Sequence, residues 1–169
     1  IGGGRNTEFM GDDLRGGAGN DTIDGDAGAD TADFSLSLSA VTVVLAEGAV
    51  DGSATGEGTD ILRDIENAVG TAANDSLTGN SGDNTLEGGG GDDLIDGLGG
   101  LDSASYAGAV SGVTVDLAIQ GTAQDTGSAG NDTLTGIEGL VGSAHDDTLF
   151  GSTGNNRILG GAGNDTILV

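Results

Sequence analysis

Seven aspartates and two asparagines stand at one recurring position in this chain. Asp21, Asp30, Asp75, Asn84, Asp93, Asp102, Asp147, Asn156 and Asp165 are each sixth in a nine-residue unit, G-G-x-G-x-D-x-U-x, with U apolar. The units run GGAGNDTID and GDAGADTAD from Gly16; GTAANDSLT, GNSGDNTLE, GGGGDDLID and GLGGLDSAS from Gly70; GSAHDDTLF, GSTGNNRIL and GGAGNDTIL from Gly142. Carboxylates in register beside Gly-rich backbone make a hard, all-oxygen ligand set. Such a set suits Ca²⁺, which takes 6–8 oxygens at about 2.4 Å. It does not suit Zn²⁺, which favours nitrogen and sulfur, and Mg²⁺ would demand a tighter octahedron.

The elements that must position these groups follow from the same nine residues. The first six, rich in Gly, make a turn that visits backbone regions closed to a residue with a Cβ. The last three make a short strand with U pointing inward. The eighth-position residues are Ile23, Ala32, Leu77, Leu86, Ile95, Ala104, Leu149, Ile158 and Ile167. Two units make an 18-residue coil, and coils stack at roughly 4.8 Å. The reading is therefore an all-β, parallel β-roll or β-helix solenoid. Turns two units apart should stack, pairing Asp75 with Asp93, Asp147 with Asp165, Asn84 with Asp102, and Asp12 with Asp30. The first two pairs carry two carboxylates and should be tightest. Asn84 and Asn156 still offer an amide oxygen, but no charge. Asp21 should have Ser39 above it, leaving its site weak or absent.

A longer period contains the short one. Asp30 maps to Asp102, Val41-Thr42-Val43 to Val113-Thr114-Val115, Ile65-Glu66 to Ile137-Glu138, and Asp75 to Asp147, always by the same interval. That interval is eight nonapeptides, so residues 1–169 read as one solenoid. Nonapeptide blocks occupy about 7–33, 70–105 and 142–169, with variant coils at about 34–69 and 106–141. About nine coils would make a rod of roughly 45 Å. In the variant coils Val41, Val43 and Leu45, like Val113, Val115 and Leu117, alternate as half-buried strands do. Leu134, Ile137 and Leu140 recur at every third place across Gly136 and Gly139, which fits coils better than a helix face. Phe34 and Tyr106 are equivalent and read as core plugs. In-frame Ser39, Gly48, Ser111 and Gln120 should form no standard site. Shifted units place Asp60 and Asp132 in the ligand role. They are weaker candidates, because they sit less than two full units before Asp75 and Asp147. Glu66 and Glu138 read equally as capping ligands or as exposed edge charges.

Composition excludes several partners. There are 28 acids against 4 bases, for a net charge of -24. Such a chain repels itself when compact unless cations intervene. It offers no basic patch to nucleic acid, and no apolar run approaches the ~20 residues of a membrane helix. The opening residues do not read as a signal peptide. With no Cys, disulfides and thiolate sites are out. High charge and few aromatics are the signature of disorder, but nine units in one register argue for an ordered fold. His145, the one histidine, reads as a solvated turn residue. Without a second His or any Cys there is no visible nucleophile–base pair, and the chain is read as non-enzymatic. DGDAGAD from Asp24 lacks the closing Glu of an EF-hand loop.

These blocks resemble the hemolysin-type calcium-binding repeats of RTX proteins. The resemblance implies that the first and third carbonyls of a turn serve one ion, the second and fourth the next, and that the sixth-position Asp reaches both. Carried over, Gly88 and Gly90 serve one site, Gly89 and Gly91 its neighbour, and Asp93 both. Gly16, Gly17, Ala18 and Gly19 with Asp21 match, as do Gly160, Gly161, Ala162 and Gly163 with Asp165. Gly70 and Ala72, Gly79 and Ser81, Gly97 and Gly99, and Gly142 and Ala144 occupy the first and third positions of their turns. The resemblance further implies several bound Ca²⁺ ions and a secreted, extracellular or cell-surface setting. The chain would pass a type I secretion apparatus unfolded and fold outside on calcium. Surface-layer or matrix components and neighbouring repeats would be its partners. The alternative is an accessory module of a secreted protease, lipase or alginate epimerase. Ile1 and Val169 both fall within a repeat pattern, as expected of a piece of something longer.

Overall fold

The structure, a computed structural model, describes residues 11–169. Residues 7–10, where the first block was expected to begin, lie outside the described residues. In chain order the strands are β1 (Asp13–Leu14), β2 (Thr22–Asp24), β3 (Thr31–Asp33), β4 (Thr42–Val44), β5 (Gly52–Thr55), β6 (Thr59–Arg63), β7 (Asn67–Val69), β8 (Ser76–Thr78) and β9 (Thr85–Glu87). The chain continues with β10 (Leu94–Asp96), β11 (Ser103–Ser105), β12 (Thr114–Asp116), β13 (Gln124–Gly127), β14 (Gly130–Thr135), β15 (Gly139–Val141), β16 (Thr148–Phe150), β17 (Arg157–Leu159) and β18 (Thr166–Leu168).

They form two walls. The first is parallel throughout, in the order β1-β3-β7-β9-β11-β15-β17. The second runs β2-β6-β5-β4-β8-β10-β14-β13, and a single bridge, Val113 to Gly127, links it to β12-β16-β18. Side chains alternate between core and solvent, as a strand's period of two requires. In β2, for example, Ile23 is buried between exposed Thr22 and Asp24. The eighth-position residues form the core spine, from Ile23 and Ala32 through Leu77, Leu86, Ile95 and Ala104 to Leu149. Ile158 packs against it partly buried. Ile167 is exposed, because no described strand stacks beyond β18. Each buried Leu or Ile contributes about 1.5–3 kcal/mol, so a core one residue deep is held by many small increments.

The blocks have 18-residue coils, but the variant segments do not. From β3 to β7, and from β11 to β15, the first wall advances one strand while the chain advances by 36 positions. That stretch does not make two ordinary coils. It builds one wide coil whose far side is an antiparallel meander inside the second wall: β4 against β5 against β6 in the first repeat. In the second repeat β13 pairs antiparallel with β14, and β12 touches β13 through the single bridge. The expected strands at 41–45 and 113–117 are present, with Val41, Val43, Leu45, Val113, Val115 and Leu117 buried. The expectation that failed is their stacking. The meander places β6 on β2 and β4 beneath β8. The second wall therefore steps by 39 and then 34 positions rather than 18. The straight nine-coil rod does not form. Leu134, Ile137 and Leu140 are fully buried at the return of the second wide coil, around β14 and β15. Tyr106 is buried in the core, and Phe34 packs against it partly exposed.

Candidate metal-binding turns

Within the blocks, turn after turn hands a carboxylate oxygen to the backbone of the turn before it. Asp12 N–H donates to Asp30 Oδ1 at 2.7 Å, Asp75 N–H to Asp93 Oδ1 at 2.8 Å, Asn84 N–H to Asp102 Oδ1 at 2.8 Å, and Asp147 N–H to Asp165 Oδ1 at 3.0 Å. The pairing of turns two units apart is therefore present there. Outside the blocks the register differs from the expectation. Above Asp21 stands Asp60, not Ser39: Asp21 N–H donates to Asp60 Oδ1 at 2.9 Å. Likewise Asp93 N–H donates to Asp132 Oδ1 at 3.0 Å. By spacing, Asp60 and Asp132 were the weaker candidates, because they sit 15 residues before Asp75 and Asp147 rather than 18. They stack instead on acids far behind them, because the meander carries β6 and β14 back down the wall. At the positions beneath Asp75 and Asp147 the ladder has only the backbone N–H groups of Val41 and Val113.

The turns fall into two kinds, and the second residue decides which. In four of them that residue is Thr71, Asn80, Ser143 or Ser152. Its backbone N–H donates to the sixth-position side chain of its own turn: Thr71 to Asp75 Oδ2, Asn80 to Asn84 Oδ1 at 2.8 Å, Ser143 to Asp147 Oδ2 at 2.6 Å, and Ser152 to Asn156 Oδ1 at 2.7 Å. The Thr71 and Ser143 hydroxyls add a second bond, to Oδ1 of Asp75 and Asp147. These turns are capped from within. In the five others the second residue, Gly17, Asp26, Gly89, Leu98 or Gly161, has a positive φ, so its N–H turns away. The Gly in Gly89 is obligatory twice over. Its φ is 97°, and a Cβ there would strike the Thr71 carbonyl of the turn beneath. Leu98 holds φ 66° without that exemption, a strain of about 1 kcal/mol or more.

The consequence is a set of stranded acceptors. Asp21, Asp30, Asp93 and Asp102 each keep a buried Oδ2 with no hydrogen-bond partner among the described residues. All four belong to open turns, and all four lie directly under a wide coil. A buried carboxylate oxygen without a partner is costly. Burial raises Asp93 to about 7, helped by the charges of Asp132, Asp75 and Asp92. Burial and the charges of Glu138, Asp83 and Asp96 raise Asp102 to about 6. Asp132 is raised too, mainly by burial. A cation relieves all of this at once. Among the described residues no three acidic or histidine side chains converge on one point, so an ion held here takes most of its oxygens from backbone carbonyls. The donor set of stranded carboxylate oxygen plus turn carbonyls fits Ca²⁺. Calcium, when bound, supplies the positive charge that lets neighbouring turns stack.

The remaining candidates sort by exposure. Gly16, Gly17, Ala18 and Gly19, like Gly161, Ala162 and Gly163, ring exposed turns, while Gly70, Gly79, Gly88, Gly97 and Gly142 are buried under the sixth-position side chains of their own turns. On Gly70, for instance, the space for a Cβ is taken by Asp75 Oδ2 and the Gly88 carbonyl. Ala72, Ser81, Gly99 and Ala144 are exposed at the turn tips, and Gly89, Gly90, Gly91, Gly160 and Asp165 are half-buried. Asn156 accepts from Ser152, and its Nδ2 donates to the Glu138 carbonyl at 3.1 Å. Asn84 repeats this with the Glu66 carbonyl at 2.7 Å. An amide suits these two places because it must donate as well as accept. A family model described as the RTX calcium-binding nonapeptide repeat matches in four copies, at residues 10–35, 69–104, 126–139 and 141–168. The chain belongs to the RTX calcium-binding repeat family. No curated protein matches it. The RTX match passes over most of both wide coils, yet it takes in 126–139, the shifted unit that carries Asp132. RTX repeats bind calcium and are typical of secreted bacterial proteins. No helix among the described residues is long and apolar enough to cross a membrane.

Proposed function

We propose that this chain is a structural module, with no catalytic part of its own, that calcium folds after export. It serves a secreted or cell-surface protein. In the cytosol, where calcium is scarce, a chain of net charge -24 stays open and can thread a type I secretion apparatus. Outside, millimolar calcium is enough for sites of extracellular affinity, and binding free energy becomes folding free energy. One observation carries this reading: the four buried carboxylate oxygens that no group among the described residues satisfies. They penalise the ion-free roll, and an ion removes the penalty. A surface-layer, adhesin or matrix setting suits a long, acidic, self-stacking roll. Far-UV circular dichroism tests the proposal. In chelator the chain should give a coil spectrum, and added calcium should restore β signal cooperatively. A chelated chain that keeps its β signal would refute it.

A further inference from the structure

Glu66 and Glu138 lie outside the nonapeptide pattern, and the structure gives both the same place. Asp30 N–H donates to Glu66 Oε2 at 2.8 Å, and Asp102 N–H donates to Glu138 Oε2 at 3.1 Å. Each glutamate thus takes the position that an aspartate of the next turn takes inside a block. The local chain explains why a longer side chain is needed. In a regular turn the residue whose carbonyl covers the first Gly beneath stands five places before the carboxylate, as Gly88 stands before Asp93. At the return of the wide coil that residue is Asp64 or Gly136, only two places before Glu66 or Glu138. Their positive φ values, 47° and 60°, make the sharp bend. The shortened turn sits back, and one extra methylene restores the carboxylate to the ladder.

Oxygens converge there. On Gly97 the place of a Cβ is filled by the Gly136 carbonyl oxygen and by Asp102 Oδ2. On Gly25 it is filled by the Asp64 carbonyl oxygen and the Asp30 carboxylate. Asp30 and Asp102 are wholly buried, and the Oδ2 of each has no partner among the described residues. The arrangement occurs once in each long repeat, with different flanking side chains. We propose that Glu66 and Glu138 are calcium ligands, each closing a site with Asp30 or Asp102 and the Asp64 or Gly136 carbonyl. One such ion per long repeat would clamp the return of the wide coil onto the nonapeptide turn beneath. The large, flexible, all-oxygen shell of Ca²⁺ accepts a mixed Asp, Glu and carbonyl set, whereas Mg²⁺ needs near-ideal octahedral geometry. The inference rests on the calcium reading above and extends it to residues that the nine-residue pattern does not contain.

The test is calorimetric titration of the chelator-stripped chain with CaCl₂. Glu66→Gln and Glu138→Gln keep a hydrogen-bond acceptor for Asp30 and Asp102 but remove the charge. Glu47→Gln removes the same charge from a site outside the ladder and serves as the control. Each single variant should lose one ion from the stoichiometry, or weaken one site about tenfold or more, since charge count sets affinity in such sites. The double variant should lose two. Should the double variant fail to fold even at saturating calcium, the single variants, each keeping one junction intact, decide the matter. Stoichiometry and affinity matching the control in both single variants would overturn the assignment while leaving calcium folding intact. Absence of calcium binding in the parent chain would instead overturn the reading it rests on.

Discussion

The two wide coils share a path but are fastened differently. In the second, buried and half-buried side chains close the coil. Gln120 bonds both ways with Ile137, through Nε2 to its carbonyl at 2.6 Å and Oε1 from its N–H at 3.1 Å. Thr126 Oγ1 lies 3.1 Å from Asp132 Oδ2, and Ser105 Oγ donates to Glu87 Oε2 at 2.6 Å. In the first, the equivalents of Gln120, Thr126, Ser105 and Glu87 are Gly48, Ala54, Asp33 and Arg15, and no counterpart of the first two bonds can form. Two ion pairs take their place. Arg15 Nε meets Asp33 Oδ2 at 2.7 Å, and Arg63 Nε meets Asp51 Oδ1 at 2.9 Å with both side chains about half exposed. Tyr106 is buried in the second coil, whereas Phe34 is half-buried in the first and lines an open pocket of about 200 Å³ with Arg15, Ala54, Glu57 and Asp60. One backbone thus tolerates two solutions, provided that the ladder of acids stays in place.

Stepwise chelation followed by hydrogen exchange should separate the two coils most. The first wide coil should lose protection at higher free calcium than the second, and simultaneous loss would show that the fastenings do not matter. Next, Gln120→Ala strands the N–H and carbonyl of Ile137, at about 1–3 kcal/mol, read as a lower urea midpoint with unchanged slope. A midpoint that does not move would discount the clamp. Thr126→Ala, which copies Ala54, should cost about 1 kcal/mol by the same measurement.

Asp93 and Asp102, under the second wide coil, are raised to about 7 and about 6 from 3.8. A raised carboxyl binds protons more tightly folded than unfolded. Its contribution to the ion-free fold is therefore fully present below about 3.8 and lost as pH rises through 6 to 7. Calcium binding should release protons near pH 6.5 and few at pH 8, which calorimetry in two buffers of different ionisation enthalpy can read. Equal release at both values would contradict the burial. The smallest effect is salt: the exposed Arg63–Asp51 pair is weak and screened, so 0.5 M NaCl should loosen the first coil slightly and leave the second unchanged.

Much of this was legible in the residues. The nonapeptide names its own turn, strand and inward residue, and the pairs Asp75–Asp93 and Asn84–Asp102 follow from counting. The acids stacked above Asp21 and Asp93 did not, because the meander replaces the step of 18 by one of 39. That step depends on where β5 and β13 fold back, and Gly52–Thr55 and Gln124–Gly127 carry little strand signal. A clue was present in the shifted units, since an Asp out of frame in both repeats cannot meet an in-frame partner by steps of 18. Glu66 and Glu138 were visible as a repeated pair, but side-chain reach cannot be counted from spacing. The capping by Thr71 and Ser143 was overlooked, although a hydroxyl four places before an Asp was on view.

The unequal walls have a mechanical outcome. Across each wide coil the second wall gains two strands more than the first. At about 4.8 Å per strand that is roughly 10 Å of extra length on one side only. Like a tapered stone in a vault, each wide coil forces the courses on either side of it to splay. A run of such long repeats would then trace an arc with the all-parallel wall on its inner side, its radius set by how often the wedge recurs.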